Sequence, residues 1–180
     1  NLSVFDGSNP NGSWSLYVVD DAAFDLGSLS SGWCLNLTLV VSPTQTCNIA
    51  PVTINVGGAA TPYPASLNVQ GLSAPIGEVR VSLLGYGHTW PDDVDIELSG
   101  PDGQNTILMS DAGGGSPGVS GLNLVFQDGA GLLPDDTGLV TGTYAPTDYE
   151  PGDAFIAPAP APSGAVSLGV FAGTDPNGPW

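Results

Sequence analysis

The chain has 180 residues, of which 41% are hydrophobic and only 11% charged, with 26 Gly and 17 Pro. One Arg (Arg80), no Lys and 18 acids give a formal net charge of −17. That balance argues against nucleic acid and anionic membrane surfaces as partners, because binding either needs cations to meet the phosphates. No run approaches the ~20 apolar residues of a membrane-spanning helix, and no stretch keeps a 3.6-residue apolar period, so short strands joined by many turns are expected.

In chain order, the first predicted strand alternates Trp14, Leu16 and Val18 with Ser15, Tyr17 and Val19. The second alternates Trp33, Leu35, Leu37 and Leu39 with Cys34, Asn36 and Thr38, which turns Cys34 away from the apolar face. Val79, Val81 and Leu83 then alternate with Arg80 and Ser82, and Val94, Ile96 and Leu98 with Asp93, Asp95 and Glu97. Leu122, Leu124 and Phe126 alternate with Asn123, Val125 and Gln127. Each is a period-2 pattern with one buried face. Turn signals fall between them at Pro10-Asn11-Gly12, Gly100-Pro101-Asp102-Gly103 and Asp111 to Gly115. Ala157–Ser163 reads as a stiff extended connector, since its prolines donate nothing to a strand ladder. The fold expected from this pattern is all-β, an antiparallel β-sandwich or jelly roll.

The chain also repeats itself. Asn1–Trp14, NLSVFDGSNPNGSW, and Ser167–Trp180, SLGVFAGTDPNGPW, share eight of fourteen residues without a gap. They lie about one domain length apart, so the chain reads as an excerpt of a tandem array. Residues 1–41 are then the closing strands of one repeat, 42–50 a polar linker containing Pro43, and 51–180 the body of the next.

PDDVDIELSGPDGQNTILMSDAGG (Pro91–Gly114) resembles the strand-turn-strand core of the P-domain, also called the proprotein-convertase P/Homo B domain. GTYAPTDYEPGDAF (Gly142–Phe155) resembles a loop of its bacterial secreted versions, and PNGSWSLYVVDDAAFDLGSLSSGWCLNLT (Pro10–Thr38) resembles its closing strands. The resemblance implies a jelly-roll sandwich that accompanies subtilisin-like and other secreted enzymes, aids folding, stability or targeting, and does no chemistry. It implies a secreted or cell-surface location. The family order is body then tail, whereas this chain runs tail then body.

Fifteen of the acids are Asp, which suits both solvated Asx turns and the hard oxygen ligands of calcium. Asp93, Asp95 and Glu97 recur at ~7 Å intervals along one strand face, too far apart to share an ion whose oxygens sit at ~2.4 Å. A calcium site would instead join Asp92 and Asp93 to Asp135 and Asp136 or to Asp20 and Asp21. The alternative is a polar strand face in solvent. Catalytic chemistry is not expected. Ser116 in Gly114-Gly115-Ser116-Pro117-Gly118 matches G-x-S-x-G, but Pro and Gly follow where a nucleophile elbow needs a helix. His88, the sole histidine, reads as ordering the loop before the Val94–Leu98 strand, as a similar run does in the family.

The even cysteine count and the secreted resemblance favour a Cys34–Cys47 disulfide over two free thiols. Sequons at Asn1, Asn11 and Asn36 are short enough to arise by chance. Partners expected are neighbouring repeats or copies of the same chain. Head-to-tail donation of the tail strands to a neighbour's body would build a filament, and fold-back onto the same body a permuted monomer. A protein or carbohydrate ligand is the other expectation, with Tyr63, Tyr86 and Trp90 as the aromatics that would either stack on a sugar or pack inside.

Overall fold

The computed structural model describes residues 43–115 and 117–180, together with Ser15, Leu16, Val18, Trp33 and Cys34. The chain separates into two compact units, Asn1–Gln45 and Thr46–Trp180, divided within the 42–50 stretch. In the first unit Leu16, Val18 and Trp33 are exposed and lie in no strand, unlike the buried alternation expected of them. An alternating run buries a face only where a second layer covers it. The rest of those two runs, Asp20, Asp21, Ser116 and the sequons at Asn1, Asn11 and Asn36 lie outside the described residues.

The second unit is all-β. Strands β1 (Asn68–Val69) and β8 (Gly178–Pro179) pair antiparallel. Strands β2 (Val81–His88), β5 (Val119–Gly131) and β6 (Gly142–Tyr144) form one three-stranded sheet in the order β2-β5-β6. Strands β3 (Ile96–Ser99), β4 (Asn105–Ser110) and β7 (Thr147–Asp148) form another in the order β3-β4-β7. Two pairings depart from the antiparallel expectation: β4 with β7 and β5 with β6 run parallel. The members of each parallel pair are joined by long connections, residues 132–141 between β5 and β6 and 111–146 between β4 and β7, and such connections let strands align parallel where a tight hairpin cannot.

The alternation around Leu83 continues further than its first residues suggest. Register shifts on either side of Tyr86 keep it on the inner face, where it is buried. Gly85, at φ 73°, supplies the left-handed residue just before it. In β5, Leu124 and Phe126 are wholly buried, as their period-2 spacing requires.

Strand β4 shows no alternation because all six of its residues are buried. It forms a hairpin with β3 through Gly100–Gln104: Gly103 N donates to Gly100 O at 3.1 Å and Gly100 N to Gln104 O at 2.8 Å. This is the strand-turn-strand unit expected from Pro91–Gly114. A bulge between Ile96 and Glu97 breaks the alternation of β3. Glu97 is therefore half-buried, and both its carboxylate oxygens lie out of solvent without a hydrogen-bond partner. Asp93 closes a 3-10 turn, Pro91–Asp93, so the uniform polar strand face expected of Asp93, Asp95 and Glu97 does not form.

Residues 157–163 lie outside any strand. Asn105, buried at the start of β4, fastens this segment to the sheet. Its Nδ2 donates to Ala161 O at 3.1 Å, and its Oδ1 accepts from Ser163 N at 2.7 Å. Thr106 and Ile107 continue the contact, donating to Ala165 O at 2.9 and 3.0 Å. Leu108 and Met109 of β4 share one hydrophobic cluster with Leu124 and Phe126 of β5 and with Phe171 near the end of the chain. Both three-stranded sheets thus contribute to a single core.

Candidate metal centre

Acidic residues gather where β3 begins and β4 ends. Antiparallel pairing of Ile96 with Met109 brings Asp95, just before β3, beside Ser110 at the end of β4. Ser110 also pairs in register with Asp148 of β7, and the loop after β7 returns Asp153 to the same place. Asp111 follows directly, in the left-handed region at φ 49°, a conformation that Asp tolerates better than most residues.

Ser110 is wholly buried, and its hydroxyl meets three carboxylates: Asp95 Oδ1 at 2.8 Å, Asp111 Oδ2 at 2.9 Å and Asp153 Oδ2 at 2.9 Å. A hydroxyl carries one proton, so it donates to one of the three at a time. The other two contacts bring oxygens together with no hydrogen of Ser110 between them. Ligand atoms of Asp95, Asp111 and Asp153 all lie within 4.8 Å of one another. Calcium binds oxygens at ~2.4 Å, which places opposite ligands ~4.8 Å apart, so this spacing suits one ion.

The electrostatics point the same way. Burial raises the Asp95 carboxyl above the usual range; the Ser110 hydrogen bond opposes this, and Asp153, Asp111 and Asp148 push it further up. Asp148 is raised by burial and then by Asp153 and Asp111, and its Oδ1 is sequestered without a hydrogen-bond partner. The sole Arg or Lys of the chain, Arg80, donates from Nε to Glu78 at 3.0 Å on the exposed surface. Among the described residues no cation faces the cluster. Asp95 is exposed and Asp111 and Asp153 are partly buried, so solvent, protons or a bound cation can offset the charge of the cluster.

The ligands expected from sequence occupy a neighbouring position. Asp92 is raised by burial and then by Asp111, Asp135, Asp136 and Asp93. Two backbone contacts hold the loops together. Gly113 N donates to Pro134 O and Asp135 O, both at 2.8 Å, and a Cβ on Gly114 would stand 2.6 Å from Asp136 O. Asp92, Asp93, Asp135 and Asp136 are thus brought into one region, but the group with converging ligand atoms is Asp95, Asp111 and Asp153. Asp95 joins a cluster despite the ~7 Å spacing along its own strand because Asp111 and Asp153 come from other elements. Asp153 lies in the Gly142–Phe155 loop that carries the family resemblance, and nothing local marks it as a ligand.

His88 Nδ1 lies 2.6 Å from Trp90 O and 3.3 Å from Trp90 N, contacts that tie the loop before Pro91. Trp90 is half-exposed and its ring lies close over Gly115, leaving no room for a Cβ there. Of the aromatics considered for sugar stacking, Tyr86 is buried, with its hydroxyl unpartnered and its pKa raised by burial, and so packs inside. No protein-family model, no curated protein and no solved structure matches the chain.

Proposed function

We propose that this chain is a non-catalytic accessory module of a secreted or cell-surface multidomain protein, and that calcium bound at its acidic loops stabilises it. The observation that carries this reading is the convergence of Asp95, Asp111 and Asp153 on the single hydroxyl of Ser110. Carboxylates in that arrangement suit a hard cation, and no neighbouring Lys or Arg competes for the place. Asp148 and Asp92, whose protons are held above the ordinary range, surround the trio and add to its attraction for a cation.

The motifs at Pro91–Gly114 and Gly142–Phe155 resemble the P-domain, and they contain every acid of this cluster. On that resemblance the sheets stack as a jelly roll and the module supports a secreted enzyme or surface protein. Among the described residues no helix is long and apolar enough to cross a membrane. In an oxidising compartment Cys34 and Cys47, both exposed and unbonded in the structure, would be joined. Intact mass measured on secreted protein is then lower by two hydrogens than after reduction, and an unchanged mass rejects the bridge.

Calcium titration followed by thermal unfolding tests the central claim. At a hundredfold excess over Kd, binding adds ~2.7 kcal/mol, and for a domain of this size the melting temperature rises on the order of 10 °C. An unfolding curve identical in EGTA and in excess calcium rejects the proposal.

A further inference from the structure

Ser167–Trp180 is seated deep in the second unit. Leu168 and Phe171 are 2% and 0% exposed, and Phe171 meets the Trp180 ring with centroids 5.0 Å apart. Polar contacts fasten the segment at both ends. Asp128 accepts from Ser167 Oγ at 2.9 Å, Leu168 N at 3.0 Å and Gly169 N at 2.8 Å. Asn177 grips Leu72 from both sides, accepting from its N at 3.0 Å and donating to its O at 2.7 Å. Trp180 N donates to Leu67 O at 2.9 Å, and Leu67 N donates back at 3.0 Å. Gly178 lies at φ 132°, and a Cβ there would stand 2.6 Å from Pro101 Cβ.

The sequence of Asn1–Trp14 keeps the residue types that this burial and bonding use in Ser167–Trp180. Leu2, Phe5 and Trp14 stand at the positions of Leu168, Phe171 and Trp180. Pro10, Asn11 and Gly12 stand at those of Pro176, Asn177 and Gly178, and Val4 and Gly7 at those of Val170 and Gly173. Three differences keep the chemistry. Asn1 is a good helix-cap residue in place of Ser167, whose side chain caps Gly169 N. Ser8 retains the hydroxyl with which Thr174 donates to Phe171 O at 2.8 Å. Asn9 retains the side-chain oxygen with which Asp175 accepts from Asn177 N at 2.9 Å. The three differences that change residue type, Ser3 for Gly169, Asp6 for Ala172 and Ser13 for Pro179, fall where the seated segment is exposed.

We propose that the seat filled by Ser167–Trp180 is a docking site that also accepts the Asn1–Trp14 segment of a second copy of this chain. Identity between the two segments is confined to what the seat touches, which is the pattern expected of two segments shaped by the same seat. The donor segment and the seat lie in different units of the chain, so exchange between copies runs head to tail and propagates. The resident segment holds the seat by virtue of its high effective concentration, and the second copy enters when that segment is weakened. This site shares no residue with the acidic cluster and does not depend on calcium.

Two experiments on the full chain decide it. In the first, the seated segment is given the sequence of the other by S167N, G169S, A172D, T174S, D175N and P179S. The variant is expected to unfold cooperatively within ~5 °C of the parent, because the changed types face solvent. Loss of the cooperative transition overturns the proposal. In the second, Phe171→Ala weakens the resident segment, and a fluorescent Asn1–Trp14 peptide is titrated in. Saturable binding is expected, weakened more than about tenfold by Phe5→Ala in the peptide. Sedimentation of Phe171→Ala alone is expected to show oligomers that a second change, Phe5→Ala, returns to monomers. If a Ser167–Trp180 peptide binds and the Asn1–Trp14 peptide does not, the proposal fails. If Phe171→Ala does not fold, the first experiment, which leaves every buried residue in place, remains decisive.

Discussion

At Ser110, one proton serves three carboxylates, and that shortage makes single substitutions there informative. Ser110→Ala removes a buried donor from three carboxylates that are themselves exposed or only partly buried, so a loss of ~1 kcal/mol is expected in urea unfolding in the presence of EGTA. Asp111→Asn acts in opposite directions under two conditions. It lowers the local negative charge and retains a residue that tolerates a positive φ, so the melting temperature in EGTA rises. The same change removes a ligand, so the increase produced by calcium shrinks. Glu97 belongs to a different class. Its oxygens are sequestered without partners and burial raises its pKa, so Glu97→Gln is expected to raise the melting temperature at neutral pH with no change in the calcium response.

Among the elements, β4 explains why sequence patterns locate some strands and miss others. The period-2 runs around Val81 and Leu124 locate β2 and β5 because each shows one side to the core and the other outward. Asn-Thr-Ile-Leu-Met-Ser in β4 carries no alternation because both its faces are buried, and its polar residues are satisfied by partners distant in sequence. Asp128 plays a comparable role at the end of the fold, holding Ser167, Leu168 and Gly169 from a distant strand. Asp128→Ala is expected to cost ~2 kcal/mol by chemical denaturation, a cap-like loss from an otherwise intact core.

On the scale of the whole molecule, the net charge of −17 and the raised carboxyls predict an unusual dependence on pH. Asp92, Asp95, Asp148 and Glu97 are all shifted upward, with burial the first cause in each. Between the ordinary carboxylate range and these raised values, the folded state binds more protons than the unfolded state. Their contribution to stability is therefore full below about pH 4 and is lost as pH rises through the raised values. Thermal unfolding in EGTA should show a higher melting temperature near pH 5 than near pH 7.5. Calcium should shrink or reverse that difference, because it binds the deprotonated acids and releases their protons.

Composition and periodicity by themselves determined the class of structure: a Gly- and Pro-rich chain with alternating apolar runs builds short strands, and the second unit is all-β. They also located the acid-rich loops, since Asp92, Asp93, Asp135 and Asp136 do come into one region. Only the tertiary structure decided which acids converge. Asp95, Asp111 and Asp153 meet because β3 pairs with β4, β7 runs parallel to β4, and the next loop folds back to Ser110. Local spacing describes a strand's own neighbours, whereas strand pairing joins residues that no local pattern connects. The duplicated ends divide in the same way: the repetition is legible in the sequence, and the reason for its pattern appears only in the seat that Leu168, Phe171 and Trp180 fill.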